Sequence, residues 1–133
     1  MVILITGHKG YIGSSLVPYL KKKIKNSTII GLDTNYFDYK NSKDVDIEIN
    51  ADLRKSNLSE IKKVDTVINL SAISNDPIGN KFSNVTEQIN FKATEKLIKL
   101  VKKKGCKNFI FASSCSIYGF GGNLIKTEKD TLN

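Results

Sequence analysis

The chain has 133 residues, of which 40% are hydrophobic and 26% charged, values that are ordinary for a globular protein with one core. This composition excludes a disordered tail, a collagen-like fibre and a coiled coil. The longest unbroken apolar run, Val2 to Ile5, is too short for a transmembrane helix or the core of a signal peptide. We therefore expect a cytoplasmic protein with no membrane partner.

The net charge is +8, from 21 basic and 13 acidic residues. A basic balance of this size raises the possibility of a polyanion partner such as nucleic acid. Specific DNA recognition relies on the planar fork of arginine, however, and Arg54 is the only arginine. Most lysines collect near the ends of two predicted helices. We therefore expect no nucleic-acid partner, although a basic nucleic-acid-binding domain stays open as a third hypothesis.

Cysteine and histidine are too few and too far apart for a metal site. Cys106 and Cys115 lie nine positions apart, and His8 is the only histidine. Neither a zinc ligand set nor a redox CxxC motif fits this spacing, and a site with several histidines is excluded by count. We expect two free thiols in a reducing compartment and no metal.

Hydrophobic periodicity in the first half of the chain alternates between strand and helix. Residues 1–6 and 28–32 are short apolar runs, typical of strands buried on both faces of a parallel sheet. Between them, Ile12, Leu16, Leu20 and Ile24 mark a helix that contains Pro18 and ends in lysines. Residues 34–44 are predicted as a loop. Residues 45–51 alternate with period two, which indicates a strand near the sheet edge, and a helical turn is expected at 59–63.

The second half continues the alternation. Residues 64–70 and 108–112 are predicted as strands, and the residues from Asn75 to Gly79 as a loop. A long helix over 84–104 is predicted to begin at Asn84, with Glu87 in capping-box position, and to stop at Gly105. Its predicted buried stripe consists of Val85, Ile89, Ala93, Leu97 and Val101.

Repeated strand–helix units with strands this apolar predict an α/β fold. We expect a Rossmann-type, doubly wound parallel sheet of about five strands in the order 3-2-1-4-5. The expected division is an incomplete Rossmann domain over 1–119 followed by a polar tail over 120–133.

The glycine-rich segment between the first strand and the first helix is the clearest functional signal. Gly7, Gly10 and Gly13 recur at every third position, where a dinucleotide-binding turn needs a sharp bend, close approach of a pyrophosphate and tight helix packing. The backbone N–H groups near Tyr11 and Ile12 are then expected to face the phosphates at the positive end of the helix dipole. A glycine-rich turn that binds nothing is the alternative.

Asp33 ends the second predicted strand, twenty positions after Gly13. A carboxylate at this place can accept both hydroxyls of an adenosine ribose, and it repels a 2′-phosphate. No arginine lies nearby in the sequence, so NAD is the expected cofactor rather than NADP. The alternative is an aspartate that only forms the turn before Thr34.

Taken together, these segments resemble the extended short-chain dehydrogenases/reductases, and within them the N-terminal part of the NAD-dependent epimerase/dehydratase family of nucleotide-sugar enzymes. The Asp52-Leu53-Arg54 segment resembles the family's adenine-contacting D-[IVL]-R. Residues 67–72 resemble its V-I-H-L-A-A strand end, which lies under the cofactor ribose and nicotinamide side, with Asn69 and Ser71 as departures. The resemblance adds Asp52, Leu53, Leu70, Ser71, Ala72 and Asn90 to the expected cofactor-binding residues.

Residues 113–119 resemble the family's S-S-x-S/T-V-Y-G segment, whose second serine bonds the reacting sugar hydroxyl. The resemblance therefore implies Ser114 as a catalytic residue, a nucleotide-sugar substrate, and hydride transfer between a sugar carbon and NAD by an isomerase or lyase. The family's base is the tyrosine of a Y-x-x-x-K motif. After Ser114 the only tyrosine, Tyr118, is followed four positions later by Gly122, and the match at Tyr36 and Lys40 falls in an early loop.

We therefore expect a fragment that ends before the catalytic helix and substrate region, that binds NAD weakly if at all, and that is inactive in isolation. The alternative is a non-catalytic dinucleotide-binding regulatory module, because the cofactor segments are intact while the catalytic pair is missing. For a full-length enzyme we expect a homodimer. Without its partner helix, part of the apolar face of the helix over 84–104 is expected to be exposed.

Overall fold

The apolar runs form one parallel sheet, as expected. The structure is a computed structural model that describes residues 1–36, 45–119 and 125–132. Five strands lie in the order β3-β2-β1-β4-β5 and every neighbouring pair is parallel, which confirms the Rossmann-like fold and the predicted strand order. The strands are β1 (Val2–Thr6), β2 (Thr28–Asp33), β3 (Ile47–Asn50), β4 (Thr66–Asn69) and β5 (Asn108–Phe111).

The central strand β1 contributes to two hydrophobic clusters, one on each face of the sheet. Ile3 and Ile5 are buried with Val17 on one face, and Leu4 is buried with Leu97 on the other. Both faces are therefore covered, which explains why β1 has no alternation of polar and apolar residues. Among the described residues, no helix has the length and hydropathy needed to cross a membrane.

Helical elements lie between β1 and β2, between β4 and β5, and after β5. The helical elements are α1 (Tyr11–Lys23), α2 (Asp76–Lys81), α3 (Ser83–Glu87), a π-helical segment (Gln88–Ala93), α4 (Thr94–Lys103) and a 3₁₀ turn (Cys115–Tyr118).

Helix α1 runs through Pro18 and ends in lysines, but its buried face differs from the predicted stripe. Gly13 and Val17 are buried, whereas Ile12 is 58% exposed. The reason is that Gly13 must pack against the loop after β1, and this contact turns the helix so that Ile12 points outward.

The start of the long helix was also predicted wrongly. Asn75 lies at the N-cap of α2, where its Oδ1 accepts a hydrogen bond from the Ile78 N–H at 3.2 Å, so this region is helical rather than a loop. Pro77 in the first turn suits a helix start, because its fixed φ is helical and its missing N–H is not needed there. Asn84 does not cap a helix, since its Oδ1 accepts from Gln88 Nε2 at 2.9 Å inside a continuing helical stretch.

Only the C-terminal part of the predicted stripe is buried. Ala93, Leu97 and Val101 belong to the core, while Val85 is exposed. The helical stretch therefore reaches the core only from Ala93, the last residue of its π-helical segment, and that segment was not predicted.

The remaining segments agree in part with the elements predicted from the sequence. β3 lies at the sheet edge as predicted, but Ile49 is its only buried residue and Ile47 is 44% exposed, because just one neighbouring strand covers it. The helical turn expected at 59–63 is a single turn in which Ile61 N–H bonds Leu58 O at 3.1 Å. The predicted loop at 34–44 lies outside the described residues from position 37 onward.

Asp46, at the start of β3, joins α1 and β2. Its carboxylate accepts hydrogen bonds from Lys21 Nζ at 2.5 Å and from the Ile29 N–H at 2.7 Å. The Lys21 bond, and then the Ile29 bond, lower the pKa of Asp46 in the folded state. A lowered folded-state pKa means that the carboxylate stabilises the fold above its unfolded pKa, and that this stability is lost as the pH falls through the folded value.

We predict that Asp46→Asn lowers the free energy of unfolding by about 1 kcal/mol at pH 7, a modest value because the carboxylate is 40% exposed. The difference from wild type should shrink as the pH falls below the ordinary aspartate pKa of 3.8. Urea denaturation at pH 7 and pH 3 measures this. Glu95→Gln, which removes an exposed pair with Lys99, is the control and should cost under about 0.5 kcal/mol. An equal loss for Asp46→Asn at both pH values would contradict the prediction.

Candidate functional site

The glycine-rich loop packs so closely that it has no room for side chains at two positions. Gly7 has φ +72°, and a Cβ placed on it would lie 2.9 Å from the Leu70 carbonyl carbon. A Cβ on Gly13 would lie 2.4 Å from Gly7 O. The loop therefore crosses the end of β4 with backbone against backbone, and α1 begins directly above it. Gly10 has only one close neighbour, Gly7 O at 3.3 Å, so its outer side stays open.

Helix α1 presents an uncapped N-terminus at this loop. Its N-cap is Gly10, which has no side chain to offer, and the first intrahelical bond runs from the Ser14 N–H to Gly10 O at 2.9 Å. The N–H groups of the first turn therefore carry the partial positive charge that favours an anion. The side chains of Tyr11 and Ile12 are exposed, so any contact with phosphate comes from their backbone.

Asp33 lies at the carboxyl end of β2, beside the loop. Its Oδ2 accepts from the Lys9 N–H at 3.0 Å, and its Oδ1 accepts from the Asn35 N–H at 3.1 Å. Each carboxylate oxygen therefore makes one backbone hydrogen bond and keeps further lone pairs for a ligand hydroxyl. The two bonds also hold the carboxylate in one orientation.

A cleft of about 300 Å³ opens between β1 and β4, where the order of the strands in the sheet reverses. Ligands of open α/β sheets bind at this position, outside the carboxyl ends of the strands. The cleft contains eight of the residues predicted to bind cofactor, namely Gly7, Gly10, Asp33, Asp52, Leu53, Leu70, Ser71 and Ala72.

The cleft also contains residues that were not among the predicted cofactor-binding residues. These are Leu32, Thr34, Tyr36, Ala51, Arg54, Ile73 and Ile89. Arg54 belongs to the segment that resembles the family's adenine-contacting D-[IVL]-R, but no arginine was expected near Asp33, and the fold brings Arg54 into the same cleft. Its linear distance from Asp33 carried no signal, since the two segments meet only through the pairing of β2 with β3.

Asp52 holds Arg54 through a two-pronged contact. Arg54 Nε donates to both carboxylate oxygens at 3.0 Å, and Nη2 donates to Oδ2 at 2.5 Å. This contact lowers the pKa of Asp52, so the carboxylate is charged at neutral pH. Leu53, between them in sequence, is buried under the cleft.

A buried polar chain links the sheet to the long helical stretch below the cleft. Thr6 Oγ1 donates to Asn69 Oδ1 at 2.5 Å, and Asn69 Nδ2 donates to Thr94 Oγ1 at 3.0 Å. Asn69, which departs from the family pattern, therefore finds partners for both ends of its amide. Buried polar groups that are fully bonded specify one arrangement of the elements that they join.

Asn90 does not line this cleft. Its Oδ1 accepts from the Ile73 N–H at 2.9 Å and its Nδ2 donates to Ile73 O at 2.9 Å. The whole amide is thus used to hold the loop after β4, on which Ala72 and Ile73 face the cleft. Asn90 lies in the π-helical segment, a geometry that is common at functional sites.

A second, more open cleft of about 650 Å³ adjoins the first at Ala72 and Ile73. Ser114 lies here, with its Oγ 2.7 Å from Ser116 Oγ and accepting from the Ser116 N–H at 3.2 Å. Hydroxyl and amide side chains dominate the lining, which suits a ligand with many hydroxyl groups. The polar lining residues are Ser74, Asn75, Asn80, Ser83, Thr86, Glu87, Asn90, Ser113, Ser114 and Ser116.

Comparison with known proteins identifies a family. The model of the "NAD dependent epimerase/dehydratase family" matches residues 3–133. A dTDP-D-glucose 4,6-dehydratase of Dictyostelium discoideum is 38% identical over an alignment of 144 positions, which covers 98% of this chain and 32% of the relative. An uncharacterized UDP-glucose epimerase of Bacillus subtilis (strain 168) is 32% identical, over 90% of this chain and 42% of the relative.

Solved structures agree with this result. MoeE5 in complex with UDP-glucose and NAD superimposes with a TM-score of 0.86 at 27% identity, over 100% of this chain and 42% of that protein. The dTDP-glucose 4,6-dehydratase of Bacillus anthracis str. Ames in complex with NAD gives a TM-score of 0.78 at 25% identity, over 100% of this chain and 44% of that protein. The chain therefore spans less than half the length of these relatives.

We predict that Asn90→Ala lowers the free energy of unfolding by about 1–3 kcal/mol, because the N–H and C=O of Ile73 both lose their partner. Thermal denaturation measures the change. Asn90→Asp keeps an acceptor for the N–H but loses the donor to the carbonyl, so it should also be destabilised. Asn84→Ala, which removes only an exposed bond to Gln88, is the control and should stay within about 0.5 kcal/mol of wild type. Equal losses for Asn90→Ala and Asn84→Ala would count against the positioning role.

Proposed function

Because the chain belongs to the NAD dependent epimerase/dehydratase family, we propose that it is the NAD-binding portion of a nucleotide-sugar epimerase or dehydratase. The observation that carries the proposal is the cleft in which the glycine-rich loop and Asp33 meet at the carboxyl ends of β1 and β2. The relatives named above are dehydratases and epimerases, so an isomerase or a lyase is the proposed enzyme class.

The described residues fit a dinucleotide. Gly7 and Gly13 leave the loop without Cβ atoms where β4 and α1 crowd it, and the outer side of Gly10 is open. In the proposed complex, the N–H groups of Tyr11 and Ile12 hold the pyrophosphate, since the Gly10 N–H already donates to Gly7 O at 3.1 Å.

The carboxylate of Asp33 accepts the adenosine ribose hydroxyls. Asp52 and Leu53 lie at the proposed adenine end. Leu70, Ser71 and Ala72 lie on the ribose and nicotinamide side, where Asn90 acts through Ile73 rather than by direct contact. NAD, when bound, supplies a site that takes a hydride from a sugar carbon and returns it.

Ser114 is the proposed catalytic residue of this chain. Its hydroxyl already accepts a bond from the Ser116 N–H, so it is oriented to donate to a sugar hydroxyl in the second cleft. No Y-x-x-x-K motif follows Ser114 in the sequence, and Lys40 of the early match lies outside the described residues. We therefore propose that the 133 residues alone do not turn over substrate, because positioned acid–base groups contribute about 10²–10⁴ in rate.

Several expectations from the sequence remain proposals. These are the nucleotide-sugar substrate, the absence of a nucleic-acid partner, the division into 1–119 and 120–133, the cytoplasmic location and the homodimer. Exposed apolar side chains on the long helical stretch support association, since Phe91 is 62% exposed and Ile98 is 43% exposed.

The first test is titration with NAD, by calorimetry, of the protein that carries this chain. We expect saturable binding, and Asp33→Asn should weaken it by more than about tenfold, because hydrogen bonds to a charged group are worth about 1.5–3 kcal/mol. Asp130→Asn, far along the chain in the 125–132 segment, is the control and should leave binding unchanged. No NAD binding by wild type, or equal affinity for Asp33→Asn, would overturn the proposal.

The second test addresses Ser114 in the protein that carries this chain. We expect Ser114→Ala to lower kcat on its nucleotide-sugar substrate by at least about tenfold, without changing NAD affinity, because Ser114 lies in the second cleft and not in the first. Ser113→Ala is the control with a smaller expected effect. A protein that binds NAD but converts no nucleotide sugar would instead favour the non-catalytic dinucleotide-binding module.

A further inference from the structure

Lys9 is a nearly buried lysine inside the glycine-rich loop. Its side chain is only 9% exposed and its ammonium pairs with Glu48 Oε1 on β3. Lysine is almost never buried at this level unless it is paired, because removing its charge from water is costly. The pair therefore accounts for how Lys9 is tolerated between Gly7 and Gly10.

The same residue touches the proposed ribose site through its backbone. The Lys9 N–H donates to Asp33 Oδ2, while the Lys9 side chain leads away to Glu48, which lies opposite Gly31 in the β2–β3 register. Neither Lys9 nor Glu48 lines the cleft, although both are described residues. The backbone of Lys9 thus contacts Asp33, the carboxylate proposed to bind the ribose, while the Lys9 ammonium is turned away from that carboxylate.

Two cations near this end of the cleft are held by carboxylates. Lys9 is paired with Glu48, and Arg54 is paired with Asp52. Within the described part of the chain, no cationic side chain bonds Asp33. His8, packed beside Gly31, adds no charge at neutral pH because burial lowers its pKa. Asp33 therefore keeps an uncompensated negative charge where a ligand would place its ribose.

We propose that Glu48 is a specificity-determining residue, which holds the Lys9 ammonium away from the ribose and so makes the site favour NAD over its 2′-phosphorylated form, NADP. This inference rests on the proposed NAD-binding function. It assigns part of the discrimination to a residue outside the cleft, in addition to the direct repulsion by Asp33. Glu48 is a cleaner probe than Asp52, because Asp52 itself lines the cleft.

The test compares the affinities for NAD and for NADP of the protein that carries this chain, by calorimetry, in wild type and in Glu48→Gln. The substitution keeps the side-chain size but removes the charge, so the Lys9 ammonium becomes available to a 2′-phosphate. We expect NADP to bind about tenfold tighter, the effect of one unit charge several ångströms away at a protein surface, while NAD affinity changes by less than about twofold. The added substitution Lys9→Met should abolish the gain.

Glu95→Gln is the control for a general change in charge, since its partner Lys99 lies on the exposed side of α4. If Glu48→Gln does not fold, Glu48→Asp retracts the carboxylate and should shift the preference in the same direction by a smaller factor. An unchanged ratio of the two affinities in a folded Glu48 variant, or a gain that survives Lys9→Met, overturns this inference alone. A wild-type chain that binds neither dinucleotide overturns the proposed function, and this inference with it.

Discussion

The structure depends on the close packing of the loop after β1. Gly7 meets the backbone of β4, Gly13 meets Gly7, and a Cβ on Gly31 would lie 2.6 Å from the His8 ring. Each of these contacts exists because a side chain is missing. The loop can therefore lie flat across the carboxyl ends of the strands, and the cleft above it is floored by backbone rather than by side chains. A ligand with phosphate groups can approach such a floor closely, which side chains would prevent.

Side-chain hydrogen bonds then determine where the far wall of the cleft lies. The chain from Thr6 through Asn69 to Thr94 joins the first strand, the fourth strand and α4. Asn90 bonds both backbone groups of Ile73 and so holds the loop that separates the two clefts. These groups are buried or half-buried. Removing one hydrogen-bond partner therefore leaves the other without a bond, and the hydrogen bonds stabilise the structure cooperatively. The cofactor cleft and the serine-rich cleft are thus kept adjacent by the same few amides.

Charge is distributed in two different ways. Lysines in the last turns of α1 and α4 face the negative ends of the helix dipoles, which is sufficient reason for much of the basic excess. Near the cleft, by contrast, Lys9 and Arg54 are paired with carboxylates. The net charge of +8 is therefore no guide to the sign of charge at the site. The net charge sums charged groups over the whole surface, including lysines that lie far from the cleft.

The sequence by itself determined the sheet, its strand order and the residues that meet at its central turn. These features are local patterns: apolar runs, glycines three positions apart and an acid that ends the second strand. Local patterns can be recognised without knowledge of the fold. Tertiary structure decided the rest. Arg54 reaches the cleft only because β3 pairs with β2, and Lys9 is neutralised by a residue thirty-nine positions away. Asn84 loses its predicted capping role because α3 already begins at Ser83, with Phe82 at its N-cap. Such contacts depend on which segments become neighbours in the fold, and the spacing of residues along the sequence does not give their distances in space.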